Sequence, residues 1–235
     1  MRALLLAAGM GTRLRPVTDH VPKCLVPING VPLIDYWLEQ LLNAGIERVL
    51  VNTHYLSEQV NQHIKSSIYS KYIDTVHENS LLNTGGSILV NKEYFHNDSF
   101  MVVHADNLSF CDFEAFIESH KRKEAGVEIT MMTFKTDNPT SCGVVELNKS
   151  GLVTNFYEKV GEPPSDLANA AVYIMDISVV EFIEELHKKD VDISIDVLPK
   201  YLGKIGTFFN NNYHRDIGTV ESYALSQIEI NRRNK

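Results

Sequence analysis

The fold of this chain is decided by the stretch Leu4–Pro16, which reads L-L-L-A-A-G-M-G-T-R-L-R-P. Its apolar start, Leu4–Ala8, is followed directly by glycine, a pattern that indicates a buried strand of a parallel sheet. The next residues, 9–32, contain four prolines, which exclude a long helix there. Because an irregular stretch of this length is uncommon inside a compact domain and is usually functional, we expect a functional loop after the first strand.

Helical and strand patterns alternate along the first half of the chain. Apolar residues at helical spacing predict a helix over Leu33–Ala44, and Gly45 suits its carboxyl end. Further helices are predicted over Ser57–Ser66, Thr84–Asn91 and Asp112–Glu124, and strands over Arg48–Thr53, Ile73–His77, Phe100–His104 and Val127–Phe134. This alternation predicts an α/β fold with a mostly parallel sheet and helices on both faces.

The pattern changes after Lys135. Three strand patterns joined by short turns follow, at Gly143–Leu147, Leu152–Glu158 and Ala170–Met175. Beyond them the sequence predicts helices over Val179–Lys188, Asp196–Leu202 and Thr219–Arg232, and a strand over Thr207–Asn210. Since no clean linker interrupts the chain, we predict one domain over residues 1–235, with a small β-rich sub-lobe at residues 135–178.

The composition narrows the class of protein. Of 235 residues, 44% are hydrophobic and 22% are charged, as in ordinary globular proteins. No run of about 18 apolar residues predicts a membrane span. The formal net charge of −8, from 22 basic and 30 acidic residues, argues against a nonspecific nucleic-acid binder. The three widely spaced cysteines form no C-x-x-C pair, so neither a disulfide framework nor a zinc site is expected, and a reducing cytoplasm fits best.

The loop after the first strand has the chemistry of a phosphate cradle. Gly9 and Gly11 leave backbone N–H groups accessible to an anion, because no Cβ blocks the approach. Arg13, Arg15 and Lys23 follow and add positive charge suited to a triphosphate. Position 14 is Leu14, where the dinucleotide fingerprint needs a third glycine, so a Rossmann dehydrogenase is the weakest alternative. The other alternative is that the two glycines only form a tight turn.

Two carboxylates have the setting of a magnesium site. Asp106 follows an apolar strand, at the sheet edge where open α/β sheets bind ligands, and Asp216 precedes the last predicted helix. Mg²⁺ prefers one or two carboxylates together with phosphate oxygens and water. The alternatives are a strand-end turn at Asp106 and a helix cap at Asp216.

The chain resembles the sugar-nucleotide pyrophosphorylases, the nucleotidyltransferases that join an NTP to a sugar 1-phosphate. Two long segments carry the resemblance, L-L-A-A-G-M-G-T-R-L-R-P-V-T and P-K-C-L-V-P-I. It continues over nearly the whole chain, through Leu82–Gly86, Val102–Asn107, Phe156–Lys159, Asn169–Tyr173 and Asp216–Thr219. It implies a Rossmann-like mixed, mostly parallel sheet flanked by helices, with a smaller β-rich region that binds the sugar.

The resemblance also implies roles for individual residues. Arg13 would hold the β- and γ-phosphates and the leaving pyrophosphate, and Lys23 would steady the α-phosphate and the attacking oxygen. Asp106 and Asp216 would hold a Mg²⁺ cofactor. The residues implied in nucleotide binding are Leu6, Ala7, Ala8, Gly9, Gly11, Thr12, Arg13, Glu78, Asn83, Thr84, Gly85 and Asp106. Those implied in sugar-phosphate binding are Asn107, Gly143, Glu158, Lys159 and Asn169.

The identity of the base depends on Glu78, which falls in the segment that reads the base in the family. A carboxylate accepts two N–H donors, and guanine offers them at N1 and N2. Uracil and thymine offer one N–H between two carbonyls, one of which a carboxylate would repel. The residue type therefore favours GTP, and the alternative is that Glu78 points to solvent.

The sugar is indicated less directly. The segments Cys142–Val145 and Leu167–Tyr173 resemble the mannose- and heptose-phosphate guanylyltransferases most, but Ala170 and Ala171 stand where many relatives carry glycine. The alternatives are dTTP or UTP with glucose or aminosugar 1-phosphate, CTP with phosphocholine, and a non-catalytic regulatory homologue. We expect small-molecule substrates, no nucleic-acid or membrane partner, and no room for the carboxyl-terminal β-helix of longer relatives, while oligomeric state stays open.

Overall fold

The chain forms two compact units in the computed structural model, which describes residues 1–233. The first unit consists of Arg2–Leu81, His104–Phe110 and the residues from Asn212 onward. The second unit consists of Leu82–Val103 and Cys111–Asn211, together with Met1. The predicted sub-lobe, residues 135–178, lies entirely within the second unit.

The strands and helices alternate for much of the chain. Within residues 1–233 the strands are β1 (Arg2–Leu6), β2 (Pro27–Ile28), β3 (Val31–Pro32), β4 (Arg48–Thr53), β5 (Ile73–His77), β6 (Phe100–His104), β7 (Asn107–Phe110), β8 (Ile129–Lys135), β9 (Gly143–Leu147), β10 (Val153–Glu158), β11 (Leu167–Met175), β12 (Ile205–Phe209) and β13 (Tyr213–Asp216). The α-helices of the same residues are α1 (Leu33–Asn43), α2 (Ser57–Ser66), α3 (Asn83–Val90), α4 (Phe113–Lys121), α5 (Ser178–Glu185) and α6 (Val220–Arg233).

Three parallel strands form the sheet of the first unit. β1 pairs with β4 and β4 pairs with β5, with Leu6 opposite Asn52 and Thr53 opposite His77. Because the three strands run the same way, their carboxyl ends lie along one edge, where open α/β sheets bind ligands. The predicted α/β class, with parallel strands and flanking helices, is confirmed.

The loop of residues 9–32 contains no long helix, as its prolines predict. It contains three short 3₁₀ turns, at Thr12–Leu14, Val17–Asp19 and Lys23–Leu25, and the short pair of β2 and β3. The helix predicted after it is α1, whose buried face consists of Leu33, Ile34, Trp37, Leu38 and Leu41, all 0% exposed. Their helical spacing explains why this segment folds as a helix against the core.

An antiparallel ribbon of β7 and β13 is absent from the sequence-based prediction. Asp216 lies opposite Asn107 in this ribbon. Polar residues dominate β13, so no alternation of apolar and polar positions announces a strand. The strand is held instead by side-chain partners, since Nε of Arg215 donates to Oε2 of Glu229 on α6 at 2.6 Å.

The second unit carries a mixed sheet. β11 runs antiparallel to β6, β8 and β9, β9 runs antiparallel to β10, and β12 runs parallel to β8. The register of β11 breaks between Asn169 and Tyr173, where Ala171 has a φ of +55°. A side chain in this left-handed region is strained, which explains why glycine is the residue better suited to this position.

The helical pattern over Asp196–Leu202 does not form an α-helix. The chain forms a π-helical turn over Ile193–Val197 and a 3₁₀ turn over Leu198–Lys200. Pro199 has no backbone N–H and clashes with the preceding turn, so an α-helix cannot continue through it. Across residues 1–233, no helix combines the length and apolar character needed to cross a membrane.

Candidate active site

The two predicted metal-binding carboxylates lie together in the first unit. Asp216 is the last residue of β13 and lies opposite Asn107, the neighbour of Asp106. The backbone N–H of Ile217 donates to the carbonyl oxygen of Asp106 at 3.2 Å. The ribbon of β7 and β13 therefore joins two acids that are far apart in the sequence.

Lys23 lies between these carboxylates. Its Nζ is 2.9 Å from Oδ2 of Asp106 and 3.8 Å from Oδ1 of Asp216. The Lys23 side chain is only 8% exposed, whereas the two carboxylates are 44% and 48% exposed. An almost fully buried lysine is uncommon unless it is paired. The structure thus provides a buried cation and two accessible acids at one place.

The charge around Asp106 keeps it ionised. Desolvation by the surrounding protein raises its pKa, but the neighbouring positive charges, that of Lys23 first, lower the pKa to about 2. Among residues 1–233, no three His, Cys, Asp or Glu side chains gather into a metal-binding group. Two accessible carboxylates suit a Mg²⁺ ion that takes its other ligands from phosphate and water. They do not suit a metal enclosed by protein ligands alone.

Gly218 has no side chain and so leaves space for the carboxylate of Asp216. A Cβ at position 218 would stand 2.5 Å from Oδ2 and 3.0 Å from Oδ1 of Asp216. Real Cβ atoms do not approach other atoms as closely as 2.5 Å. The carboxylate therefore lies over a backbone position that only glycine leaves open.

Gly218→Ala is expected to lower kcat by about 10- to 100-fold, because the displaced carboxylate loses its position by a sizeable fraction of an ångström. Steady-state kinetics with the substrates that the sequence resemblance implies, an NTP and a sugar 1-phosphate, would measure this. Gly161→Ala is the matched control, since a Cβ there meets nothing within 4 Å. Equal activity of the two variants would contradict the positioning role of Gly218.

The two glycines of the loop after β1 differ in their surroundings. Gly11 has a φ of +62°, and its carbonyl oxygen accepts a hydrogen bond from Oγ1 of Thr18 at 2.7 Å. A Cβ on Gly11 would be 3.0 Å from Cγ2 of Thr18. A Cβ on Gly9 would meet nothing within 4 Å. Gly11 is therefore required by the turn itself, while Gly9 leaves its backbone open to a ligand.

Arg13 presents a guanidinium that has no protein partner among residues 1–233. It is exposed, and within the described residues it makes no hydrogen bond or ion pair. Its charge nevertheless contributes to lowering the pKa of Asp106. Arg15, two residues later, instead lies 3.4 Å from Asp19. Of the two arginines, Arg13 is the one available to an anionic ligand.

An apolar cluster fixes this part of the first unit. Leu14, Leu108 and Ile217 are all 0% exposed and belong to one core cluster. They are immediate or near neighbours in sequence of Arg13, Asp106 and Asp216, respectively. The hydrophobic core thus anchors the three segments that carry the charged side chains. The other members of the cluster are Val26, Ile28, Leu33 and Ile230.

A chain of hydrogen bonds crosses the carboxyl ends of β1, β4 and β5. The backbone N–H of Ala7 donates to Oδ1 of Asn52 at 2.6 Å, and Nδ2 of Asn52 donates to Oε1 of Glu78 at 2.8 Å. Asn52 is 2% exposed and Glu78 is 5% exposed. Glu78 therefore does not point to solvent. Sequence reasoning missed Asn52, because an asparagine inside an apolar strand is no signal by itself.

The remaining residues implied in nucleotide binding divide between the units. Leu6, Ala8 and Thr12 belong to the first unit, and Ala8 is 6% exposed while Thr12 is exposed. Asn83, Thr84 and Gly85 belong to the second unit, where they hold residues 190–193. Nδ2 of Asn83 donates to the carbonyl oxygen of Asp190 at 3.2 Å. The Ile193 N–H donates to Oγ1 of Thr84 at 2.8 Å. The Gly85 N–H donates to the carbonyl oxygen of Val191 at 2.8 Å. A nucleotide role for these three stays a prediction.

The second unit brings three of the predicted sugar-phosphate residues together. Gly143 pairs with Glu158 across β9 and β10, and a Cβ at Gly143 would stand 2.6 Å from Oε2 of Glu158. Nζ of Lys159 lies 2.9 Å from Oε1 of Glu158, and the Lys159 side chain is 60% exposed. The glycine thus makes room for the carboxylate, and the lysine presents its charge to solvent beside it.

The other two predicted sugar-phosphate residues, Asn169 and Asn107, form hydrogen bonds that support the fold. Asn169 supports the irregular part of β11, since its Oδ1 accepts from the Ala171 N–H at 2.9 Å and its Nδ2 donates to the Tyr173 hydroxyl at 2.6 Å. Asn107 belongs to the first unit and is 7% exposed. Its carbonyl oxygen accepts from Nε1 of Trp37 at 2.7 Å.

Comparison with known proteins gives consistent matches. The family model described as nucleotidyl transferase matches residues 2–232. A curated relative, the mannose-1-phosphate guanylyltransferase of Mycobacterium tuberculosis, is 30% identical over 233 residues. The alignment covers 97% of this chain and 64% of the relative, so the chain spans less than two thirds of that protein's length.

Two solved structures have the same fold. One is assigned as a glucose-1-phosphate thymidylyltransferase from Bacillus anthracis in complex with sucrose, with a TM-score of 0.85 and 21% identity over 97% of this chain and 94% of that chain. The other is HddC from Yersinia pseudotuberculosis complexed with GMP-PN, with a TM-score of 0.81 and 26% identity over 97% of this chain and 99% of that chain.

Proposed function

Because this chain belongs to the nucleotidyl transferase family, we propose that it joins an NTP to a sugar 1-phosphate and releases pyrophosphate. The observation that carries the proposal is the group of charges in the first unit. Lys23 lies within 4 Å of both Asp106 and Asp216, and the unpaired Arg13 is close enough to lower the pKa of Asp106.

The reaction requires positioning and charge neutralisation rather than a covalent protein intermediate. An oxygen of the sugar phosphate attacks the α-phosphorus in line, and the bond from that phosphorus to the bridging oxygen breaks as pyrophosphate leaves. Lys23 binds the α-phosphate and the attacking oxygen, and Arg13 binds the departing phosphates. We propose Mg²⁺ dependence, with Asp106 and Asp216 as ligands, and the ion when bound lowers the repulsion between the two phosphates.

We propose GTP as the nucleotide. The buried Glu78 carboxylate, at the carboxyl end of β5, offers acceptors to the N1–H and N2–H₂ donors of guanine. The name of the Mycobacterium relative and the GMP-PN bound to HddC support this choice. The backbone of Ala7 cannot donate to the ring, because its N–H is bonded to Asn52.

We propose a mannose- or heptose-type 1-phosphate as the acceptor. Glu158 supplies two oxygens for neighbouring sugar hydroxyls, and Lys159 supplies a cation for the phosphate. The enzyme then serves nucleotide-sugar biosynthesis for cell-surface polysaccharides. We place it in the cytoplasm, where its three free thiols stay reduced.

Purified protein with GTP, Mg²⁺ and mannose or heptose 1-phosphate is expected to release pyrophosphate, detected as phosphate after treatment with pyrophosphatase. Omission of the sugar phosphate should abolish the signal. Parallel reactions with ATP, CTP, UTP and dTTP would rank the bases. Absence of pyrophosphate with every nucleotide, across mannose, heptose, glucose and aminosugar 1-phosphates and phosphocholine, would overturn the proposal.

A further inference from the structure

The hydrogen bonds from Ala7 through Asn52 to Glu78 have a fixed direction. A backbone N–H can only donate, so the group of Asn52 that faces Ala7 must be its amide oxygen. The amide nitrogen of Asn52 therefore faces Glu78 and donates to Oε1. The direction of both hydrogen bonds is therefore set by the backbone N–H of Ala7 and does not depend on any ligand.

Both polar groups of the Glu78 backbone also have partners. Its N–H donates to the carbonyl oxygen of Thr53 at 2.8 Å, and its carbonyl oxygen lies 2.7 Å from Nδ1 of His54. Asn52 and Glu78 are both more than nine-tenths buried. A buried donor that faces Glu78 stabilises an acceptor there and penalises a donor, since an unmatched buried polar group is costly.

We propose that Asn52 is a specificity-determining residue. Through these two hydrogen bonds it holds Glu78 as an acceptor, and so selects a nucleotide base whose edge presents N–H donors. The inference rests on the proposed nucleotidyl transfer and on Glu78 as the residue that meets the base. Asn52 acts through Glu78 and is a positioning residue. Guanine offers two adjacent donors on its Watson–Crick edge, whereas adenine places the N1 lone pair where guanine has N1–H.

Inosine triphosphate isolates this contact, because hypoxanthine lacks only the 2-amino group of guanine. We expect the wild-type protein to use GTP at least ~10-fold better than ITP in kcat/KM, the discrimination expected when a buried acceptor loses its donor. ATP should be used less well than either. Thermal shifts with the same three nucleotides report binding independently of turnover.

Each single substitution is expected to remove the discrimination. In Glu78→Gln the Nδ2 of Asn52 attracts the new amide oxygen, so the new amide nitrogen faces the base as a donor. In Asn52→Asp two carboxylates face each other and coexist only by sharing a proton, which weakens the acceptor. The ratio of kcat/KM for GTP over ITP should fall to about 1 in both variants.

The double variant Asn52→Asp with Glu78→Gln reverses the direction of the hydrogen bond between residues 52 and 78 and keeps the net charge of the wild type. The introduced carboxylate accepts from Ala7 and from the new amide nitrogen, which turns the new amide oxygen toward the base. We expect the GTP over ITP ratio to recover by at least ~3-fold relative to Glu78→Gln, because one acceptor of the original two is restored. Asn43→Asp, an exposed change of the same charge in the first unit, should leave the ratio unchanged.

The outcomes separate this inference from the proposed function. Transfer of any nucleotide by the wild type supports the proposed function whatever the ratios are. A wild type without preference for GTP over ITP overturns the inference, and so does a double variant that is no better than the single ones, the result expected of a purely structural Asn52. Should Asn52→Asp alone fail to fold, the charge-matched double variant and Glu78→Gln still decide the question.

Discussion

Asp106→Asn is expected to lower kcat by about a thousand-fold while the protein stays folded. The amide keeps the size of the carboxylate and can still accept from Nζ of Lys23, which lies 2.9 Å away. It removes the negative charge that, with Asp216, would bind the metal ion. Because the folded state lowers the pKa of Asp106 to about 2, this charge is present at any pH above that value and is lost only as the pH falls through it.

Steady-state kinetics and a thermal melt on the same samples would measure both parts of this result. Asp74→Asn is the matched control, because Asp74 also lies in the first unit and pairs with Arg48 at 2.6 Å. The loss of that partly exposed pair should cost about 1 kcal/mol of stability or less and leave kcat unchanged. Near-normal turnover by Asp106→Asn would remove Asp106 from the metal site.

Arg13→Gln is expected to lower kcat/KM by about a thousand-fold, the size of effect seen when an arginine that stabilises phosphoryl charge is lost. The reason is structural as well as chemical. The exposed guanidinium has no protein partner among the described residues, so its charge is available to the departing phosphates. Its removal leaves the fold without a broken interaction.

Arg15→Gln tests whether charge alone explains such a loss. Arg15 is two residues away and pairs with Asp19 at 3.4 Å, so its substitution removes the same charge from the same loop. We expect kcat/KM to change by about threefold or less, as for an exposed ion pair. Similar losses in both variants would mean that the loop attracts nucleotide by its overall charge and that Arg13 has no specific contact.

The sequence predicts the elements that carry a continuous apolar run or apolar residues at regular spacing. β4, α2, β5, β6 and β9 have the bounds that their apolar spacing indicates. The ribbon of β7 and β13 escapes prediction because its strands are stabilised by a distant partner strand and by the pair of Arg215 and Glu229, neither of which leaves a local pattern. Local periodicity reports burial of one face, and β13, whose residues are half-buried or exposed, has no buried face.

The site is predictable only as a set of residue types. The motifs name Arg13, Lys23, Asp106 and Asp216, and the structure places the last three within ion-pair distance. The burial of Lys23 could not be inferred, since most lysines are exposed. The link through Asn52 was also hidden, because it depends on the register of parallel strands, which a single sequence does not specify.

Because Asp216 lies in β13, the pair of Asp106 and Asp216 is completed only late in translation. Asp216 is synthesised after Asp106 by a delay on the order of 5–20 s at ordinary elongation rates, and after Lys23 by a longer one. During that interval the nascent chain contains one acid and its lysine without the second acid. Translation arrested before β13 thus yields a polypeptide whose first unit lacks the partner strand of β7, and with it Asp216.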